Sequence, residues 1–128
     1  MSLALTLPAV AQVKSLQHKE EKRRYLVYTP AGYAGQPQKA YPLVFNFHGG
    51  GMTMAEQMLY TGMNRAADKH GFIVVYPAGI KQDWNVGFGM PYLQGSDDTG
   101  FTVAGIDASG AVTAFLAEKT NEELGLEE

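Results

Sequence analysis

The sequence predicts an α/β fold, a parallel-type sheet with flanking helices. Three observations carry the prediction. Two runs of strand-forming residues, Pro42–Phe47 and Phe72–Tyr76, are apolar on both faces apart from Asn46. Between them lies a segment with apolar residues at helical spacing. Glycine or proline closes each junction: Gly49-Gly50-Gly51, Gly71 and Pro77. Strand, helix and strand at this spacing form a right-handed βαβ unit with parallel strands.

The chain has 128 residues, enough for one domain, and 45% apolar side chains, enough to bury a core. Ten basic against 13 acidic residues give a net charge of −3, so no basic surface for nucleic acid is implied. There are no cysteines, which excludes a disulfide framework, a thiol nucleophile and cysteine-ligated zinc. No apolar run approaches the roughly 18 residues of a spanning helix, so no membrane partner is expected.

The opening, Met1–Gln12, is apolar and ends in Ala9-Val10-Ala11, small residues in the pattern a signal peptidase accepts, with no Lys or Arg before it. Two readings stay open. One is a shortened secretory signal, which would make the protein secreted or periplasmic. The other is a frayed apolar terminus on a cytoplasmic chain. Residues 1–11 are therefore set apart from a domain spanning 12–128.

After a charged, exposed stretch, His18–Arg24, the segment Tyr25-Leu26-Val27-Tyr28-Thr29 reads as a strand stopped by Pro30. Ala31–Ala40 is polar and contains Gly and Pro, hence a loop. The strand Pro42–Phe47 runs into His48-Gly49-Gly50-Gly51. Thr53-x-x-Glu56 is a capping box, and Ala55, Met58, Leu59, Gly62, Met63, Ala66 and Ala67 mark one face of a single amphipathic helix closing at Gly71. Residues 78–95 form a glycine-rich loop that also carries Trp84, Phe88 and Tyr92, at the carboxyl end of a parallel strand where α/β folds place ligands. Asp97 and Asp98 cap a last helix, and the acidic tail Glu118–Glu128 is solvated. The expected core joins Leu43, Val44, Phe45, Phe47, Val74 and Val75 to Met58, Leu59, Met63 and Ala66.

The chemistry-bearing motif is Asn46-Phe47-His48-Gly49-Gly50-Gly51. Glycines between a buried strand and a helix start let backbone N–H groups approach a ligand closely. Such donors suit an oxyanion hole, and HGGG after a strand is the form used by esterases and lipases. A bland turn is the competing reading. A phosphate loop is disfavoured, since no Lys-Ser/Thr follows the glycines. His48 is expected to support the loop by bonding backbone, and His70 to sit as a cation near a helix C-terminus. No spacing suggests a metal site, and no cofactor is implied. The serines, Ser2, Ser15, Ser96 and Ser109, lie in no G-x-S-x-G setting.

With these residues the chain resembles the α/β-hydrolase esterases grouped with polyhydroxybutyrate depolymerases, feruloyl esterases and acetyl xylan esterases. The likeness rests on Arg24-Tyr25-Leu26-Val27-Tyr28-Thr29-Pro30-Ala31-Gly32-Tyr33, on Pro42-Leu43-Val44 leading to His48-Gly49-Gly50-Gly51, and on Asn64-Arg65-Ala66-Ala67-Asp68 through Val74-Val75-Tyr76-Pro77. It continues through Asp83-Trp84-Asn85 and Asp97-Asp98-x-Gly100-Phe101 to Asp107.

The resemblance implies a secreted serine esterase that acts on polyester, plant phenolic or acetyl esters through an acyl-enzyme. It implies Gly50 and Gly51 as oxyanion donors and Trp84 and Asn85 in a substrate-side loop. Departure begins after Ala108: the serine elbow, the acid and the histidine of the family do not follow. The expectation is thus a partial α/β-hydrolase lacking the C-terminal half, without its hydrolytic machinery. Its open sheet edge could serve self-association. A non-catalytic binding module using that edge or the Trp84 loop is the alternative.

Overall fold

A computed structural model describes residues 9–33 and 41–108. Strands β1 (Val10–His18), β2 (Glu21–Thr29), β3 (Leu43–Phe45) and β4 (Ile73–Pro77) form one sheet in the order β1-β2-β4-β3. Helices α1 (Met54–Thr61) and α2 (Met63–His70) connect β3 to β4, and α3 (Asp98–Ala108) follows the long loop after β4. Among the described residues no helix is long and apolar enough to cross a membrane. Ser109 and the acidic tail lie outside the described residues, as does most of the loop expected at 31–40.

The expected parallel pairing holds for β3 with β4, where Leu43, Val44 and Phe45 face Ile73, Val74 and Val75 in register. The sheet as a whole is mixed, which corrects the parallel-type expectation. β2 runs antiparallel to β4, with Val27 opposite Val75, and β1 runs antiparallel to β2 along its full length. β1 begins at Val10, inside the segment set apart as a leader. Its side chains are mostly exposed, and its place is secured by backbone pairing with β2.

Alternation along β2 and β4 splits the core into two layers. On one face Tyr25, Val27, Ile73 and Val75 pack with Tyr41 and with Phe101 of α3. On the other, Leu26, Tyr28, Val74 and Tyr76 pack under Met54 and Ala67 of the connecting helices. β4 lies between them with every residue buried, and burying a Val or Ile side chain contributes about 1.5–3 kcal/mol.

The single helix expected between the glycine loop and Gly71 is two. Gly62 takes the left-handed conformation, φ +61°, its N–H bonds the Met58 carbonyl as a C-cap, and the chain re-enters helix at Met63. This break turns the first helix so that Leu59 is 79% exposed, while Met58 and Met63 face the core. Phe47 is also more exposed than expected, because β3 ends at Phe45. Asn46, polar at the end of an apolar strand, bonds α1: its Nδ2 donates to Thr61 Oγ1 at 3.0 Å and its Oδ1 accepts from Gln57 Nε2 at 2.7 Å.

Tyr28 ties the end of β2 to α2 by donating to both carboxylate oxygens of Asp68 at 2.8 Å. Burial, then the Asp68 hydrogen bond and charge, push its pKa from 10.0 up to about 12. The native state holds this proton after the unfolded state has released it, so the contribution is complete below pH 10 and is lost as pH rises towards 12. Tyr28→Phe is expected to flatten the loss of stability over that window. Urea midpoints at stepped alkaline pH check it, and an unchanged alkaline slope would refute the assignment.

Candidate functional site

The glycine loop lies at the carboxyl end of β3, and each neighbouring segment fixes part of it. His48 is buried, and both ring nitrogens engage backbone. Gly79 N–H donates to Nε2 at 2.9 Å, so Nδ1 carries the proton and donates to the Gly49 carbonyl at 2.7 Å. An imidazole used in this way has no free nitrogen with which to move a substrate proton. Trp84 closes the clamp: its Nε1–H donates to the His48 carbonyl at 2.7 Å, and its ring lies 4.8 Å from the His48 ring and 5.2 Å from that of Phe47.

The glycines divide by role. Gly51 has φ +80°, and its N–H donates to the Gln82 carbonyl at 2.8 Å. Its N–H is therefore taken up within the loop. Met52 N–H closes a turn on the Gly49 carbonyl at 3.1 Å. Gly50 N–H has no partner among the described residues, and neither has Gly49 N–H.

The acceptor for Gly51 is itself held by strain. Asp83 N–H bonds the Ile80 carbonyl at 3.0 Å around Lys81 (φ +52°) and Gln82 (φ +63°), both left-handed and neither a glycine. This type I′ turn costs roughly 1–2 kcal/mol for each such residue. It packs so closely on Gly79 that a Cβ there would stand 2.2 Å from the Asp83 carbonyl oxygen.

The loop from Trp84 to Ser96 is organised by Asn85. Its Nδ2 donates to the Tyr92 and Ser96 carbonyls, both at 2.8 Å, and its Oδ1 accepts from Gly87 N–H at 3.1 Å. Its amide is therefore fully used inside the loop. Trp84 and Asn85 both line a cavity of about 500 Å³ that Val86, Phe88 and Met90 share with Glu21, Lys81 and Asp83.

Sequence reasoning missed the buried pair beneath this loop. Arg23, 2% exposed, donates to Asp98 Oδ1 at 2.8 Å and stacks over Phe101, 4.1 Å from the ring centroid. Asp98 also accepts from Asn85 N–H and from Ser96 Oγ. The cap of α3 is Asp97, whose Oδ1 accepts from Gly100 N–H at 3.1 Å. His18 is not exposed as expected, but bonds Asp97 Oδ2 at 2.9 Å beside Lys19 at 3.2 Å. These bonds, His18 first, hold the Asp97 carboxyl well below the usual carboxylate range. His70 lies exposed in the last turn of α2, far from any role in the loop.

Mixed sheet, connecting helices and glycine loop define the chain as part of an α/β-hydrolase fold. No protein-family model and no curated protein matches it. Among solved structures, a ferulic acid esterase matches at TM-score 0.51 and 26% identity, over 67% of this chain and 38% of that one. An S-formylglutathione hydrolase from Agrobacterium tumefaciens matches at TM-score 0.48 and 24% identity, over 60% of this chain and 28% of that one. The chain thus spans well under half the length of either, 28% and 38%.

Proposed function

We propose that the chain is the oxyanion-loop part of a serine-type carboxylic-ester hydrolase of the polyhydroxybutyrate depolymerase or feruloyl esterase kind, and that its own residues do not complete a catalytic centre. The observation that carries this reading is the Gly50 N–H, unpartnered among the described residues, in a loop pinned by His48, Gln82 and Trp84. Gly50 would meet the negative charge that develops on the carbonyl oxygen of an ester under attack, and the cavity beside Trp84, with apolar and polar side chains in its wall, would take the acyl or alcohol portion. The ferulic acid esterase neighbour supports an ester as the ligand.

Among the described serines, Ser15 is exposed on β1 and Ser96 donates to Asp98, a carboxylate already engaged by Arg23 and Asn85; no histidine bonds either hydroxyl among the described residues. Export is part of the proposal. Cleavage after Ala11 would remove only Val10 and Ala11 from β1 and leave the pairing from Gln12 to His18 in place.

The test has two arms. The folded chain alone, incubated with a fluorophosphonate, is expected to show no mass adduct; a stoichiometric adduct on Ser15, Ser96 or Ser109 would overturn the reading. Co-expressed with the segment of the ferulic acid esterase that it does not cover, the chain is expected to restore hydrolysis of para-nitrophenyl acetate. An inactive pair that copurifies would count against it.

A non-catalytic binding module is the second reading, favoured by one observation. Phe88 and Leu93 are 92% and 94% exposed on the loop after β4. Saturable ligand binding without gain of hydrolysis in the co-expressed pair would select it.

A further inference from the structure

A second cavity lies on the other side of the glycine loop, between β2, the start of α1 and the Ile80–Asp83 turn. Its volume is about 380 Å³. Lys22 and Arg24, two apart on β2, share the face of Leu26 and Tyr28 that the connecting helices cover. Arg23, between them, points to the opposite layer and Asp98. Lys81 completes a ring of cations from the strained turn. None of the three lies within ion-pair distance of a carboxylate among the described residues, and no aspartate or glutamate lines the cavity. Glu56, one turn into α1, has its carboxylate committed to Thr53 N–H. In a chain of net charge −3, three uncompensated cations about one concavity form a local field of the opposite sign. Met52, Met54 and Ile80 supply the apolar part of the wall, beside Thr53, Gln82 and the buried His48 and Arg23.

We propose that this cavity binds an amphipathic carboxylate, its head group among Lys22, Arg24 and Lys81 and its apolar body against Met52, Met54 and Ile80. The thioether side chains adapt to bodies of different shape, while the cations require the charge. The site needs neither Gly50 nor a nucleophile, but it shares Ile80 and Lys81 with the cavity beside Trp84.

Octanoate is the probe, titrated into the isotope-labelled full chain while amide resonances are followed. Saturable shifts confined to Met52–Met54 and Ala78–Gln82 are expected, weakening as salt is raised. Lys81→Asn removes a cation while keeping a residue that tolerates left-handed backbone, and Arg24→Gln removes another from a strand. Each is expected to lower octanoate affinity about tenfold, the loss of one charge-assisted contact. Variant spectra that otherwise overlay the parent exclude misfolding as the cause, and the two sites guard against failure of one. Absence of saturable shifts in the parent would overturn the proposal. So would unchanged affinity in both folded variants, or equal affinity for octanol or for inorganic phosphate.

Discussion

Gly79→Val is expected to cost on the order of 3 kcal/mol or more and to release the glycine loop. A side chain at this position meets backbone: the Cβ would lie 2.2 Å from the Asp83 carbonyl oxygen and 2.9 Å from its carbon. Flexible side chains can move from such an overlap, but a hydrogen-bonded turn cannot do so without breaking. The turn carries the Gln82 carbonyl that holds Gly51, and Gly79 itself donates to His48, so one substitution strikes both supports of the loop. Chemical denaturation measures the cost, and faster hydrogen exchange at Gly51 and Gly79 reports the release. Gly50→Ala is the control, since a Cβ there has an ordinary 3.5 Å contact with Asp83 Oδ1. Equal damage from the two substitutions would refute the argument.

Asp98→Ala is expected to destabilise by about 3–5 kcal/mol, because it leaves the Arg23 guanidinium buried without its counter-charge. For a chain of this size that is a fall in Tm of at least about 10 °C. The loss includes more than one pair, since the same carboxylate accepts from Asn85 N–H and Ser96 Oγ and so joins β2, the loop after β4 and α3. The double change Arg23→Met with Asp98→Ala removes the orphaned charge and keeps an apolar contact for Phe101. It is expected to recover a large part of the loss. A double variant no more stable than Asp98→Ala would show that the other donors left without Asp98, Asn85 N–H and Ser96 Oγ, and not the buried charge, dominate. Arg23 Nε, buried without a hydrogen-bond partner among the described residues, already makes this pair costly to maintain.

Local pattern made much of this legible. The β-branched and aromatic run at 73–76, the capping box of Thr53 and Glu56, and the glycines after β3 each state their conformation within a few residues. What escaped depends on distance along the chain. Strand direction was invisible for β2, whose apolar alternation fits either side of β4 equally well. β1 has few apolar residues facing the core and is held by main-chain pairing, which leaves no side-chain signal and let Val10 and Ala11 read as part of a leader. Gly62 fitted the helical period and gave no sign of the break, since a helix can carry one glycine or end on it. Asp98 read as a cap with Asp97, because its partner Arg23 stands 75 residues away. At the glycine loop, sequence identified the donors but not which were taken, since the acceptor for Gly51 is a backbone carbonyl that any residue could supply.

The chain contains one tryptophan, and it is the residue whose indole N–H holds the His48 carbonyl and whose ring lies against the imidazole. Intrinsic emission therefore comes from a single place, the clamp of the glycine loop. Opening of that loop exposes the indole to water and shifts the emission to longer wavelength, without any attached dye. A change seen there at denaturant concentrations where far-ultraviolet circular dichroism is still native would time the loosening of the loop ahead of the sheet that carries it.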